Sequence, residues 1–166
     1  MSAPVLIAGV GNVFFADDGF GVEVVRRLAE EALPADVEVT DFGIGGLQLA
    51  LRLLDPLRLA VIVDALPRGG APGALYVVEP ALDAAPEGTG GGAHAMDVGA
   101  VLATARAMGG KLPRILIVGC EPGAIQARMG LGDAVEAAVG PAVRLVRELV
   151  DRALMGDVAP VEEARS

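Results

Sequence analysis

Gly9-Val10-Gly11-Asn12-Val13-Phe14-Phe15-Ala16-Asp17-Asp18-Gly19-Phe20-Gly21 is the stretch whose reading decides the fold. The run before it, Val5-Leu6-Ile7-Ala8, is wholly apolar, and the segment after it carries Val22, Val25, Leu28, Ala29 and Ala32 at helical spacing. It therefore reads as the loop of a strand–loop–helix unit. The glycines let the chain turn sharply out of the strand. One of Asp17 and Asp18 is expected to cap the helix, since a carboxylate near a helix N-terminus accepts free backbone N–H groups and complements the dipole. The other is left for a ligand or a metal, because open α/β sheets bind ligands at the carboxyl ends of their strands. Asp-Asp-Gly is also ordinary turn chemistry, so this stretch alone leaves a purely structural reading open.

Working outward, the same alternation of apolar runs and helical spacing recurs. Strand one covers 5–10 and helix one about 19–33, stopped by Pro34. Strand two, Val37-Glu38-Val39-Thr40, alternates apolar and polar residues as a strand near a sheet edge does, and it ends at Asp41. A short helix over about 47–54 leads to strand three, Leu59-Ala60-Val61-Ile62-Val63, with Asp64 at its end. The loop to strand four, 74–79, holds Pro67, Gly69, Gly70, Pro72 and Gly73 and has no room for a crossover helix, so strand four should run antiparallel to strand three. Residues 80–93 read as a mobile glycine-rich loop that delivers His94 to a helix over about 96–108. Strand five, 113–120, precedes a last helix over about 132–154, expected to bend at Gly140-Pro141.

The expected fold is a three-layer α/β/α sandwich with about five strands, mostly parallel with one antiparallel, and helices on both faces. Residues 1–156 form one domain and 157–166 a frayed tail on this reading. The length of 166 residues suits a single core, which must be built from Val, Leu, Ile and Ala because aromatics are 3% of the chain and Trp is absent.

A net charge of −9 repels phosphate backbones and anionic lipid headgroups, which argues against nucleic acid or a membrane surface as partner. The lone Cys120 allows no internal disulfide. No secretory signal is evident and no apolar run approaches the roughly 18 residues of a membrane span, so a cytoplasmic location is expected.

Strand ends carry Asp18, Asp41 and Asp64, and one loop carries the only histidine, His94. If strands one and three are neighbours, Asp18 and Asp64 face each other across a switch-point crevice. Two carboxylates and an imidazole suit a borderline divalent ion such as zinc or nickel, with positions left open. Each residue also has a plain structural reading: Asp64 as a cap or ion-pair partner, His94 as an exposed helix-end residue, Cys120 as a small buried hydrophobe. Gly9-Val10-Gly11 with Asp41 imitates a dinucleotide-binding start, but the third glycine would fall at Phe14, and the double Asp opposes a pyrophosphate.

Residues 9–21, Asp-Phe-Gly-Ile-Gly-Gly at 41–46, Val-Ile-Val-Asp-Ala at 61–65, His94 ahead of a helix and Val-Gly-Cys-Glu-Pro at 118–122 together resemble the [NiFe]-hydrogenase maturation endopeptidases. The resemblance spans residues 4 to about 154. It implies an enzyme that removes a C-terminal extension from the hydrogenase large-subunit precursor after nickel insertion. It also implies that Asp18, Asp64 and His94 are the metal contacts and catalytic residues, with Asp41 and Gly43 touching substrate. Asp18 stands where some members have Glu, and Ile44 where Thr is frequent.

The nickel would arrive with the precursor, with no permanently bound cofactor and a monomeric enzyme. The attacking water could be activated by the ion or by a carboxylate. No Ser or Cys triad is evident. A nickel chaperone without peptidase activity would use the same three residues.

Overall fold

The computed structural model describes residues 3–81 and 98–157. Its elements alternate as the apolar runs require: β1 (Val5–Val10), a 3-10 turn (Ala16–Gly19), α1 (Phe20–Ala29), β2 (Val37–Gly43), α2 (Gly46–Arg52) and β3 (Leu59–Ala65). They continue with β4 (Leu75–Val78), α3 (Val98–Ala107), β5 (Arg114–Cys120) and α4 (Asp133–Leu154). One sheet holds all five strands in the order β2-β1-β3-β5-β4. β1 pairs in parallel with β2 and with β3, and β3 with β5, while β4 lies antiparallel on β5.

Strand alternation sorts the core into two layers. Val5, Ile7, Leu59, Val61, Val63, Leu116, Val118 and Cys120 face Phe20, Val24, Val25 and Leu28 of α1 and the apolar stripe of α4. Leu6, Ala8, Val10, Ala60, Ile62 and Ile115 face Leu49, Ala50 and Leu53 of α2 and Val98, Val101, Leu102 and Ala105 of α3. Every residue of β1 and β3 is buried, which explains their unbroken apolar runs, whereas the edge strand β2 is half-exposed. This is the expected sandwich, with helices on both faces.

Several expectations need correction. β4 does run opposite to β3 in direction, but its neighbour is β5, because the 66–74 connection carries the chain past β5 to the far edge. Helix α1 starts only at Phe20, after the 3-10 turn, and stops at Ala29, short of Pro34. β3 continues through Asp64 to Ala65, pairing Asp64 with Gly119. The last helix has the expected extent, Asp133–Leu154, with Pro141 inside it. The glycine-rich loop, His94 and the C-terminal tail from 158 fall outside the described residues.

Candidate active site

The strand order reverses between β1 and β3, since β2 lies to one side of β1 and β3, β5 and β4 to the other. Connections leaving the two adjacent strand ends part there and open a crevice. α1 starts directly over it. A Cβ built on Gly21 would lie 2.0 Å from the Val63 carbonyl oxygen and 2.4 Å from that of Val10, so only glycine lets the helix approach both strand ends this closely.

Gly11 does the same for the loop. Its φ of +137° and its contact with the Asp18 carbonyl fold the chain back onto the 3-10 turn. Asn12 N–H then donates to Asp18 Oδ2 at 2.9 Å.

Asp18 and Asp64 are both buried. The turn that carries Asp18 packs on β3, which carries Asp64, so these two sequence-predicted residues lie on neighbouring elements beside the crevice. By alternation with Ala60 and Ile62, Asp64 points to the face covered by α3. His94 stands four residues ahead of Val98, the first residue of α3, outside the described residues. Among the described residues, no group of three or more His, Cys, Asp or Glu is placed to hold a metal ion.

Asp41 is exposed at the end of β2 on the neighbouring edge. Its Oδ1 accepts the Gly43 N–H at 2.8 Å, and Gly11 N–H donates to Gly43 O at 2.9 Å, which joins this loop to the first.

Neither carboxylate of the acidic pair caps α1: the helix has no side-chain cap. Asp17, buried beside Asp18, reaches across to the β5–α4 connection. Its Oδ2 accepts from Gly123 N at 2.8 Å and Ala124 N at 2.9 Å, and its Oδ1 from Gly132 N at 2.7 Å. Cap chemistry therefore operates, but on loop amides more than 100 residues away in sequence.

Glu121 is a second buried carboxylate with a loop to hold. It accepts from Arg68 N at 2.7 Å, Gly69 N at 3.0 Å and the Tyr76 hydroxyl at 3.1 Å, and so fixes the connection that follows Asp64. Burial and the Glu121 hydrogen bond raise the Tyr76 pKa above that of a free phenol.

Cys120 lies at the end of β5, fully buried. Burial, with Asp17 and Glu121 nearby, pushes its thiol up to about 12, so it is a protonated core residue and no nucleophile at neutral pH.

The hydrogenase maturation protease family matches residues 22–149. The hydrogenase expression/formation protein HupD of Rhodobacter capsulatus is 36% identical over 152 residues, covering 86% of this chain and 71% of HupD. The chain belongs to the hydrogenase maturation proteases. The hydrogenase 2 maturation protease of Escherichia coli is 27% identical over 143 residues, covering 86% of this chain and 87% of that protein. The solved structure of the maturating endopeptidase HybD from E. coli superposes with a TM-score of 0.78, at 27% identity, covering 90% of this chain and 93% of HybD.

As a maturation protease the chain is a peptide-bond hydrolase. Beside its crevice lie two buried carboxylates, Asp18 on the 3-10 turn after β1 and Asp64 in β3. The loop-holding roles of Asp17 and Glu121 were not foreseen from the sequence, which offered Asp17 only as one of two possible helix caps and Glu121 only as part of a motif. For Glu121 the signal was there: it is a charge directly after an apolar strand, the feature that marked Asp64. For Asp17 the amide-accepting role was legible but not its owner or its partners, since either member of an Asp-Asp pair can play either part. No helix among the described residues is long and apolar enough to cross a membrane.

Proposed function

We propose that this protease removes the C-terminal extension of a [NiFe]-hydrogenase large-subunit precursor once nickel is in place, reading the precursor's nickel through Asp18, Asp64 and His94. The observation that supports this reading most directly is that Asp18 and Asp64 are both buried, the turn that carries the first packing on the strand that carries the second, beside the switch point. On this reading the two carboxylates face one another and repel, and a divalent cation between them relieves that repulsion. Their oxygens and an imidazole suit an ion whose remaining positions are filled by the substrate's own ligands. Docking then depends on the metal, and cleavage waits for correct assembly. Nickel is cargo of the substrate on this reading, and the enzyme keeps none.

The rest of the crevice suits a protein substrate. Phe14, Ile44, Ile125 and Met129 are exposed on the connections after β1, β2 and β5, and Leu47 in the first turn of α2. Backbone bonds from Gly11 N to Gly43 O, from Arg128 N to Phe14 O and from Ala16 N to Arg128 O join these connections side by side. A precursor that brings its metal to Asp18 and Asp64 meets this apolar rim, with Asp41 and Gly43 at its edge, and a monomer suffices to present it. The buried Cys120 thiol, with no disulfide to form, suits work in the cytoplasm.

The test is intact-mass analysis of nickel-loaded and nickel-free precursor after incubation with the wild type and with Asp18→Ala, Asp64→Ala and His94→Ala. The wild type should shorten only the loaded precursor, by one fixed peptide, and each variant should leave it uncut while staying folded. Full processing by all three variants removes the proposal. A loaded precursor left at full length by the folded wild type would mark a nickel chaperone instead.

A further inference from the structure

We propose that Asp17 is a positioning residue for this reaction: its carboxylate locks the β5–α4 connection onto the 3-10 turn and so fixes the direction in which Asp18 presents its own carboxylate. The inference rests on the reading that Asp18 contacts the substrate. Asp17 is 2% exposed, and its two oxygens take three backbone N–H groups at 2.7 to 2.9 Å. Its own N–H donates to Ala124 O at 3.2 Å, so side chain and backbone grip the same connection. One residue earlier, Ala16 N–H donates to Arg128 O at 2.6 Å, and two residues before that Phe14 O accepts Arg128 N–H at 3.0 Å. The chain from 14 to 17 is thus sewn to 124–132 from both sides.

That stitching holds Ala16 at a φ of +50°, a conformation a non-glycine residue keeps only when its surroundings impose it. In a 3-10 turn successive side chains point about 120° apart. With Asp17 directed into the connection, Asp18 must point away from it, where Asn12 N–H meets its Oδ2. Rotation about the one peptide between the two residues would swing Asp18 off that direction.

An acid is required at position 17 and an amide is a poor substitute. Three donors converge on two oxygens, whereas Asn offers one oxygen and turns its NH2 toward the remaining N–H. Asn can keep the Gly123 and Ala124 pair and loses Gly132. Ala keeps none.

The experiment measures kcat and KM on nickel-loaded precursor for Asp17→Asn, Asp17→Ala and Gly123→Ala at matched folded fraction, with Asp18→Ala alongside. A Cβ on Gly123 would stand 3.3 Å from Asp17 Oδ2, so Gly123→Ala presses on the carboxylate without removing its charge. That variant carries the test if Asp17→Ala does not fold. Since a misplacement of about 1 Å costs on the order of a hundredfold, kcat should fall about tenfold in Asp17→Asn, about a hundredfold in Asp17→Ala and several-fold in Gly123→Ala, with KM within threefold of wild type.

A purely structural Asp17 would lower the melting temperature and leave kcat of the folded fraction at the wild-type value. That result, or an effect confined to KM, overturns the inference. If Asp18→Ala processes normally, the functional reading itself fails. If Asp18→Ala is inactive and the Asp17 variants keep wild-type kcat, only the positioning role is lost.

Discussion

Gly21→Ala should damage both the fold and the reaction, and the structure sets the scale of each. The added methyl would sit 2.0 Å from Val63 O and 2.4 Å from Val10 O, against 3.4 Å for ordinary contact, so α1 must lift from the strand ends by more than 1 Å. Both obstacles are backbone oxygens of buried central strands, and no rotamer change relieves them. Overpacking of this kind costs about 1–3 kcal/mol, and with two immovable neighbours the upper half of that range applies. For a chain of this size about 2–3 kcal/mol lowers Tm by roughly 5–10 °C. The 3-10 turn with Asp18 is continuous with α1, so the lift also moves Asp18 relative to Asp64. Processing should therefore drop by on the order of a hundredfold even in the folded fraction. Urea unfolding gives the first number, and single-turnover cleavage of loaded precursor below Tm gives the second. A variant within 0.5 kcal/mol of wild type, on the order of a neutral surface change, and with normal turnover, would refute the claim that α1 sits on the strand ends as described.

Glu121→Gln keeps one oxygen for Arg68 N–H and the Tyr76 hydroxyl but turns an NH2 group toward Gly69 N–H. It should cost about 1.5–3 kcal/mol in urea unfolding, the range for a lost hydrogen bond to a buried charge, and an unchanged midpoint contradicts the clamp. Cys120 should make the protein alkali-sensitive: its thiol titrates near 9.0 when unfolded and at about 12 when folded, so stability is intact below pH 9 and falls as pH rises toward 12. The fall amounts to about 1.4 kcal/mol per pH unit in that window. Cys120→Ala should flatten the profile above pH 9, and an identical slope in both proteins counts against the shift.

The fold was legible because its central strands are buried on both faces. Val5–Val10 and Leu59–Ala65 carry almost nothing but apolar residues, and such runs with helical segments between them leave few architectures open. The neighbour of β4 was not legible. Its direction followed from a short loop, but which strand it joins depends on the path of residues 66–74, which Glu121, just past the end of β5, holds through Arg68 N–H and Gly69 N–H. Helix α1 ended early for a related reason: Pro34 shows where a helix cannot continue, and packing on β1 and β3 stops supplying contacts after Leu28.

In the site, Asp64 stood out as a charge directly after an apolar run, and the structure buries it in β3, on which the turn of Asp18 packs. The roles inside the acidic pair could not be divided from sequence. What separates Asp17 from Asp18 is a set of amides at 123, 124 and 132, and no local pattern announces a partner so far along the chain.

The central claim, that Asp18, Asp64 and His94 meet around the precursor's nickel, is tested most directly by diffraction at the nickel edge from crystals of the protein soaked with Ni2+. The account predicts a single anomalous peak at the β1/β3 crevice, with a carboxylate oxygen of each Asp and an imidazole nitrogen about 2.0–2.2 Å from it, as for other ions of this class. A peak bound elsewhere, or a metal at the crevice with His94 turned away from it, would contradict the account.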